Sequence, residues 1–210
     1  QFLDLPKSLK CAGQTIEEYN DKIPSNLTVE EILIRSGNIG SVRIGQKLEI
    51  DKLKFFLSKI GVLNKIDFDI GEVGKPITFR WGKCKLATVS FGHGITTTLL
   101  QLAKGYSIIT NGGFNVKPSL IKKDGDYNKT KKRIIKEGIS EKINLILRKI
   151  VTNKEGTAQL ANVDGYEVGG KTGTAQKNTL GGYSNSKVNT FASIFPTSKP
   201  KYVLIVLLDE

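Results

Sequence analysis

Apolar residues recur at helical spacing in several stretches of the chain. Thr28-Val29-Glu30-Glu31 is a capping box, the start of a helix in which threonine and glutamate satisfy each other's free N–H groups. Ile32, Leu33 and Ile34 supply its apolar contacts, and Ser36-Gly37-Asn38 breaks it. A second helix is predicted from Ile39 to Leu48. A third opens at Asp51, with Leu53, Phe56, Leu57 and Ile60 at i, i+3, i+4 and i+7 and Gly61 as its terminator. Thr96 to Thr110 reads as a strongly apolar helix ended by Asn111-Gly112-Gly113, and Ser140 is predicted to cap another, with Ile143, Ile146, Leu147, Ile150 and Val151 turned inward. The last third turns to strands: Tyr166 to Lys177 and Val188 to Pro196, joined by a polar Gly181-Gly182 loop. Tyr202 to Leu208 is a continuous apolar run of the length of a buried central strand. Residues 1–27 read as irregular and 62–94 as loop-rich. Helices followed by adjacent strands predict an α+β domain with an antiparallel sheet flanked by helices.

Composition changes the picture in a few places. A chain of 210 residues holds one domain with a sizeable core, so 1–210 is taken as one unit. No run of eighteen apolar residues and no signal peptide is present. The chain lacks methionine and begins at Gln1, so it is expected to be a piece of something longer. Its net charge of +12 raises nucleic acid or an anionic surface as partner. Eight Lys/Arg lie between Lys117 and Lys136, interleaved with Asp, Gly and Asn as in a solvated loop. No binding motif accompanies them, so no nucleic acid is expected; attraction to membrane lipid or an anionic wall polymer is compatible. Cys11 and Cys84 form no C-x-x-C pair and no metal site. One bridge is open to them, and two buried thiols are the expectation.

The chemistry concentrates between Gly165 and Lys177, where two readings compete. Gly165 to Thr172 fits the phosphate-loop pattern G-x-x-x-x-G-K-[ST], and Val203 to Leu208 followed by Asp209-Glu210 resembles the metal-binding strand of nucleotide hydrolases. A phosphate loop needs a strand before it and a helix opening at Lys-Thr. Leu160 to Asp164 is a poor strand, and Gly173 to Gly182 is a poor helix. In the other reading, Lys171-Thr172-Gly173-Thr174 is one wall of an acyl-transfer site: a cation and two hydroxyls face a substrate carboxylate, and Gly173 lets the substrate backbone lie close. Ser36-Gly37-Asn38 supports it, since S-x-N and K-T-G are two of the three signatures of serine penicillin-recognising enzymes.

On these residues the chain resembles the class B penicillin-binding proteins. Gly71-Glu72, Ser90-Phe91-Gly92-His93-Gly94, Leu100-Gln101-Leu102-Ala103, Asn111-Gly112-Gly113, Lys117-Pro118-Ser119-Leu120 and Gly156-Thr157-Ala158 match that family in order. The Ser-Phe-Gly-His-Gly run is similar to the septal, cell-division branch. Leu99 stands where the family has Pro, which a first helical turn tolerates. Gly37 replaces a commoner Ser or Asp at a position whose neighbours carry the chemistry.

The third signature, S-x-x-K, is absent before Ser36. Its matches at Ser119–Lys122, Ser184–Lys187 and Ser198–Lys201 open no apolar helix. The resemblance therefore implies a transpeptidase (β-lactamase-like) fold whose N-terminal part, with the nucleophile and two strands, lies outside this chain, as does a closing C-terminal helix. It implies a peptidoglycan D,D-transpeptidase acting through an acyl-enzyme on that serine, with stem peptides ending in D-Ala-D-Ala as substrates. β-Lactams are the implied inhibitors and other division proteins the partners, at the periplasmic face of the bacterial inner membrane. No metal or cofactor is implied, because nucleophile, proton carrier and oxyanion donors are protein groups. By the same resemblance Ser36 relays a proton to the leaving amine and Asn38 holds the catalytic lysine and substrate amide. Lys171 polarises Ser36 and attracts the terminal carboxylate. Strand alternation puts Thr172 and Thr174 on one face to bind that carboxylate, and Thr174 matches the position whose N–H completes the oxyanion hole. His93, between two glycines, is expected to be structural. The alternative is a non-catalytic β-lactam sensor or division scaffold of the same fold.

Overall fold

A computed structural model describes residues 2–77, 80–122, 132–179 and 182–210. Thr28 and Glu31 form the expected capping box, and helix α1 spans Val29–Arg35. The two helices predicted after it are both present, meeting at a kink where Glu49 leaves helical geometry at φ 66°, and together make up α2, Asn38–Lys59. Helix α4, after the shorter α3 at Lys83–Ser90, spans Leu99–Thr110, because Thr98 and Gln101 build a second capping box. Helix α5 spans Glu137–Thr152. Ser140 does not cap it: three residues inside the helix and fully buried, its Oγ accepts a bond from the Gly112 N–H at 2.9 Å.

Two expectations of irregular chain are overturned. Residues 1–27 hold four short strands: β1, Phe2–Asp4, pairs antiparallel with β4, Asn26–Thr28, and β2, Ser8–Cys11, with β3, Gln14–Glu17. The β2–β3 turn is Ala12-Gly13 with both φ positive, the primed geometry that tight hairpins use. Ala12 is an unusual residue there, which hides the signal. Strands of three or four residues are also too short to show alternation. Within 62–94, α3 spans Lys83–Ser90. It lies so close to α2 that a Cβ on Gly45 would fall 1.8 Å from the Ser90 Oγ. Cys84 on α3 is bonded to Cys11 on β2, so the expected pair of buried thiols is a disulfide across 73 residues.

Among the described residues the main sheet has three antiparallel strands in the order β5-β6-β7, with β5 at Gly169–Thr179, β6 at Gly182–Phe195 and β7 at Tyr202–Asp209. The predicted Gly181-Gly182 connection lies partly outside the described residues, as does residue 123–131 of the basic stretch. Among the described strands the apolar run Tyr202–Leu208 pairs with β6 on one side only, and its Tyr202, Leu204, Val206 and Leu208 are exposed. β6 takes the centre. Helices α4 and α5 cover one sheet face. There Ile34 of α1, Leu147, Ile150 and Val151 of α5, Ala158 and Ile194 of β6 form a buried cluster, each large side chain contributing roughly 1.5–3 kcal/mol. A second cluster joins Leu3, Leu5 and Leu27 to Ile32 and Ile39, so the N-terminal strands buttress the α1–α2 junction.

Candidate active site

The site forms where that junction meets β5. Ser36 closes α1 in left-handed geometry, φ 57° and ψ 40°, while the following Gly37 N–H returns to the Ile32 carbonyl at 2.9 Å. Helices often end this way, but usually with glycine or asparagine in the left-handed place. For serine that conformation costs about 1–2 kcal/mol. Flanking bonds hold it: Arg35 pairs with Glu155 at 2.8 Å, and its carbonyl accepts from the Tyr19 hydroxyl at 2.7 Å.

Strand β5 brings Lys171 to Ser36. Gly169 and Lys171 face α5, and the close packing there needs a bare glycine: a Cβ on Gly169 would lie 3.0 Å from the α5 backbone at Arg148 and Leu147. Lys171 Nζ donates to Ser36 Oγ at 2.7 Å and to the Thr172 carbonyl at 2.8 Å. Partial burial pushes its pKa down to about 8, because an ammonium loses hydration there. At pH 7 the amine therefore stays mainly in its ammonium form. A hydroxyl that accepts from this ammonium keeps its own proton free to donate. The pair can therefore pass a proton and hold an anion beside the serine.

Thr172 and Thr174 lie on the opposite face from Lys171, as alternation requires. Thr172 Oγ1 donates to Thr157 Oγ1 at 2.9 Å, and Thr174 Oγ1 to Asn189 Oδ1, its cross-strand neighbour, at 3.0 Å. Gly173 and Thr174 are exposed. A Cβ on Gly173 would meet nothing nearer than 3.7 Å, so the chain's own packing does not demand glycine at that point. Asn38 opens α2, and its side-chain amide donates to the Glu17 carbonyl at 2.9 Å. With Cys11, Glu17, Thr88, His93 and Gln176 it lines a cleft of about 240 Å³. Ser36 and Lys171 are brought together directly; the Asn38 side chain is turned to Glu17, in a cleft whose lining includes neither Ser36 nor Lys171.

His93 lies beside Phe91, ring centres 5.0 Å apart, and its backbone N–H donates to the Thr88 carbonyl at 3.0 Å. Burial lowers its pKa, and its Nδ1 is buried without a partner. A neutral ring in a turn fits the expected structural role. The phosphate-loop reading fails on geometry: Lys171 and Thr172 sit inside β5, so no helix N-terminus opens there, and Asp209 is paired with Lys177. Thr157, Asn189 and Glu18, whose carboxylate bonds the N-terminus of α2, were missed as site residues. Only the Gly156-Thr157-Ala158 run carried any signal in the sequence.

A model of the penicillin binding protein transpeptidase domain matches residues 3–210. The probable peptidoglycan D,D-transpeptidase FtsI of Caulobacter vibrioides is 30% identical over 217 residues, which cover 99% of this chain and 36% of that protein. The chain thus spans about a third of that relative's length. The apo transpeptidase domain of Burkholderia pseudomallei penicillin-binding protein 3 superposes with a TM-score of 0.91 at 25% identity, over all of this chain and 64% of that one. A mycobacterial penicillin binding protein 3 complexed with aztreonam gives a TM-score of 0.87 at 24% identity, over all of this chain and 51% of that one.

Proposed function

Because the chain belongs to the penicillin binding protein transpeptidase family, we propose that it is the part of a D,D-transpeptidase domain that carries the S-x-N turn and the K-T-G strand. The acylated serine, on an S-x-x-K helix, comes from a segment outside residues 1–210, as do further sheet strands and a closing helix. The supporting observation is the 2.7 Å bond from Lys171 Nζ to Ser36 Oγ. Two residues 135 positions apart meet there as a proton carrier needs.

In this reading the D-Ala-D-Ala carbonyl is attacked by the missing serine, and Ser36 passes a proton to the departing D-Ala amine. The acyl group then goes to an amine of a second stem peptide. Lys171 keeps Ser36 polarised and attracts the terminal carboxylate by its charge, while Thr172 and Thr174, on the other face of β5, bond that carboxylate in exchange for Thr157 and Asn189. Asn38 orients the substrate amide. β5 is an outer strand of the described sheet, and an extended peptide can pair along such an edge past Gly173. β-Lactams would acylate the same serine, in keeping with the aztreonam complex of the mycobacterial relative.

The working place is the periplasmic face of the inner membrane, in cell division alongside other division proteins. The Cys11–Cys84 disulfide supports an oxidising compartment. Among the described residues no helix is long and apolar enough to cross a membrane. The test is capture of a fluorescent penicillin by the full-length protein, together with cross-linking of stem peptides. Covalent labelling and cross-link formation, both lost in Lys171→Ala, are expected. Labelling without cross-linking would leave a sensor.

A further inference from the structure

We propose that Glu18 is a positioning residue for the S-x-N turn, acting as a helix cap supplied from twenty residues upstream. A helix start leaves backbone N–H groups without partners. Nothing local serves those of α2: Gly37 has no side chain, and the first turn has no acidic residue. The half-buried Glu18 carboxylate fills the gap. Its Oε2 accepts from the Asn38 N–H at 2.6 Å and its Oε1 from the Ile39 N–H at 3.0 Å. A carboxylate is also the charge that the positive end of a helix favours.

Its neighbours act on the same turn. The Glu17 carbonyl accepts from Asn38 Nδ2 at 2.9 Å, and the Tyr19 hydroxyl donates to the Arg35 carbonyl at 2.7 Å. Residues 17–19 therefore hold both sides of Ser36 and both the backbone and side-chain amides of Asn38. The grip has a fixed base, since Glu17 ends β3 and the hairpin is bonded to α3 through Cys11–Cys84. A Cβ on Gly37 would come to 3.4 Å from Glu18 Oε1, so the carboxylate lies directly against the Gly37 backbone. Without Glu18 the start of α2 loses two of the bonds that fix the turn, and a displacement near 1 Å can cost on the order of a hundredfold in rate.

The catalytic consequence rests on the transpeptidase reading; the cap rests on geometry alone. The test uses the full-length protein as wild type, Glu18→Ala, Glu18→Gln and Glu18→Asp. Two quantities are read: hydrogen exchange of the Asn38 and Ile39 amides, and acylation by a fluorescent penicillin resolved into its binding constant and its bond-forming step. Glu18→Ala should speed exchange at those two amides about tenfold or more. It should slow the bond-forming step at least about tenfold, leaving binding within about twofold. Glu18→Gln, which turns one acceptor into a donor, should behave alike, and Glu18→Asp should recover much of both. Unchanged exchange in Glu18→Ala would overturn the proposal. So would faster exchange with an unaltered bond-forming step, or a loss of protection throughout α2 that Glu18→Asp leaves unrepaired. If the wild type captures no penicillin, the transpeptidase reading falls instead, and the exchange data still decide the cap.

Discussion

Replacing Ser36 separates its conformational role from its chemical one. Ser36→Ala removes the oxygen that Lys171 bonds at 2.7 Å but keeps a Cβ at φ 57°. Ser36→Gly removes the same oxygen and relieves the left-handed strain. That strain is about 1–2 kcal/mol, against which glycine loses about 0.4–1 kcal/mol of extra chain entropy on folding. Ser36→Gly should therefore be more stable than Ser36→Ala by about 1 kcal/mol. Both lose a hydrogen bond to a charged donor, worth about 1.5–3 kcal/mol, although Lys171 retains the Thr172 carbonyl. Wild type should consequently remain ahead of Ser36→Ala in denaturant unfolding, with Ser36→Gly between them. Acyl transfer should fall in both variants by about a hundredfold or more, the usual contribution of a positioned proton carrier. The assays are urea midpoints and penicillin labelling rates of the full-length protein. A Ser36→Ala midpoint at or above that of Ser36→Gly would refute the left-handed geometry. Labelling by Ser36→Gly at near the wild-type rate would refute the proton relay.

Other consequences can be read with similar means. Lys171 titrates at about 8 in the fold against 10.5 when free. Between those values the unfolded chain binds more protons, so stability should rise with pH across that window, by at most about 3 kcal/mol, and stay flat below pH 8. Over the same window Lys171 loses its charge, so labelling by a carboxylate-bearing penicillin should decline above pH 8. A decline that persists in Lys171→Arg, which stays charged, would assign it to another group. Gly170→Ala would put a methyl 2.5 Å from the Phe191 ring and 2.8 Å from the Ala192 carbonyl. A loss of about 1–3 kcal/mol is expected, partly recovered in Gly170→Ala/Phe191→Leu. Opening the Cys11–Cys84 bridge, by reductant or as the double serine variant, frees a 73-residue separation and should cost about 4 kcal/mol on chain-entropy grounds. A melting temperature indifferent to reductant would contradict the bridge.

What the sequence determined by itself is what local chemistry encodes. Thr28 and Glu31 write a helix start because both halves of a capping box lie within one turn. Leu147, Ile150 and Val151 write a buried face because 3.6-residue periodicity is local too. Ser36-Gly37-Asn38 and Lys171-Thr172-Gly173-Thr174 were legible for a similar reason: each motif is contiguous, so its residue types and spacing survive without a fold. Only the tertiary structure decided what depends on distant pairs. Residues 1–27 took strand form because β1 found β4 and the hairpin found α3, not because four-residue segments carry a pattern. Ser140 left its predicted cap for a bond to Gly112, and β6 took the place between β5 and the apolar run at Tyr202–Leu208. The site followed the same division. Lys171 and Ser36 were named in advance, but their contact across 135 residues and the lowered pKa of the amine needed the packing of β5 on α5 and of α5 on α1. Glu18 was invisible beforehand, since a carboxylate that caps a helix from twenty residues away leaves no mark in the helix it caps.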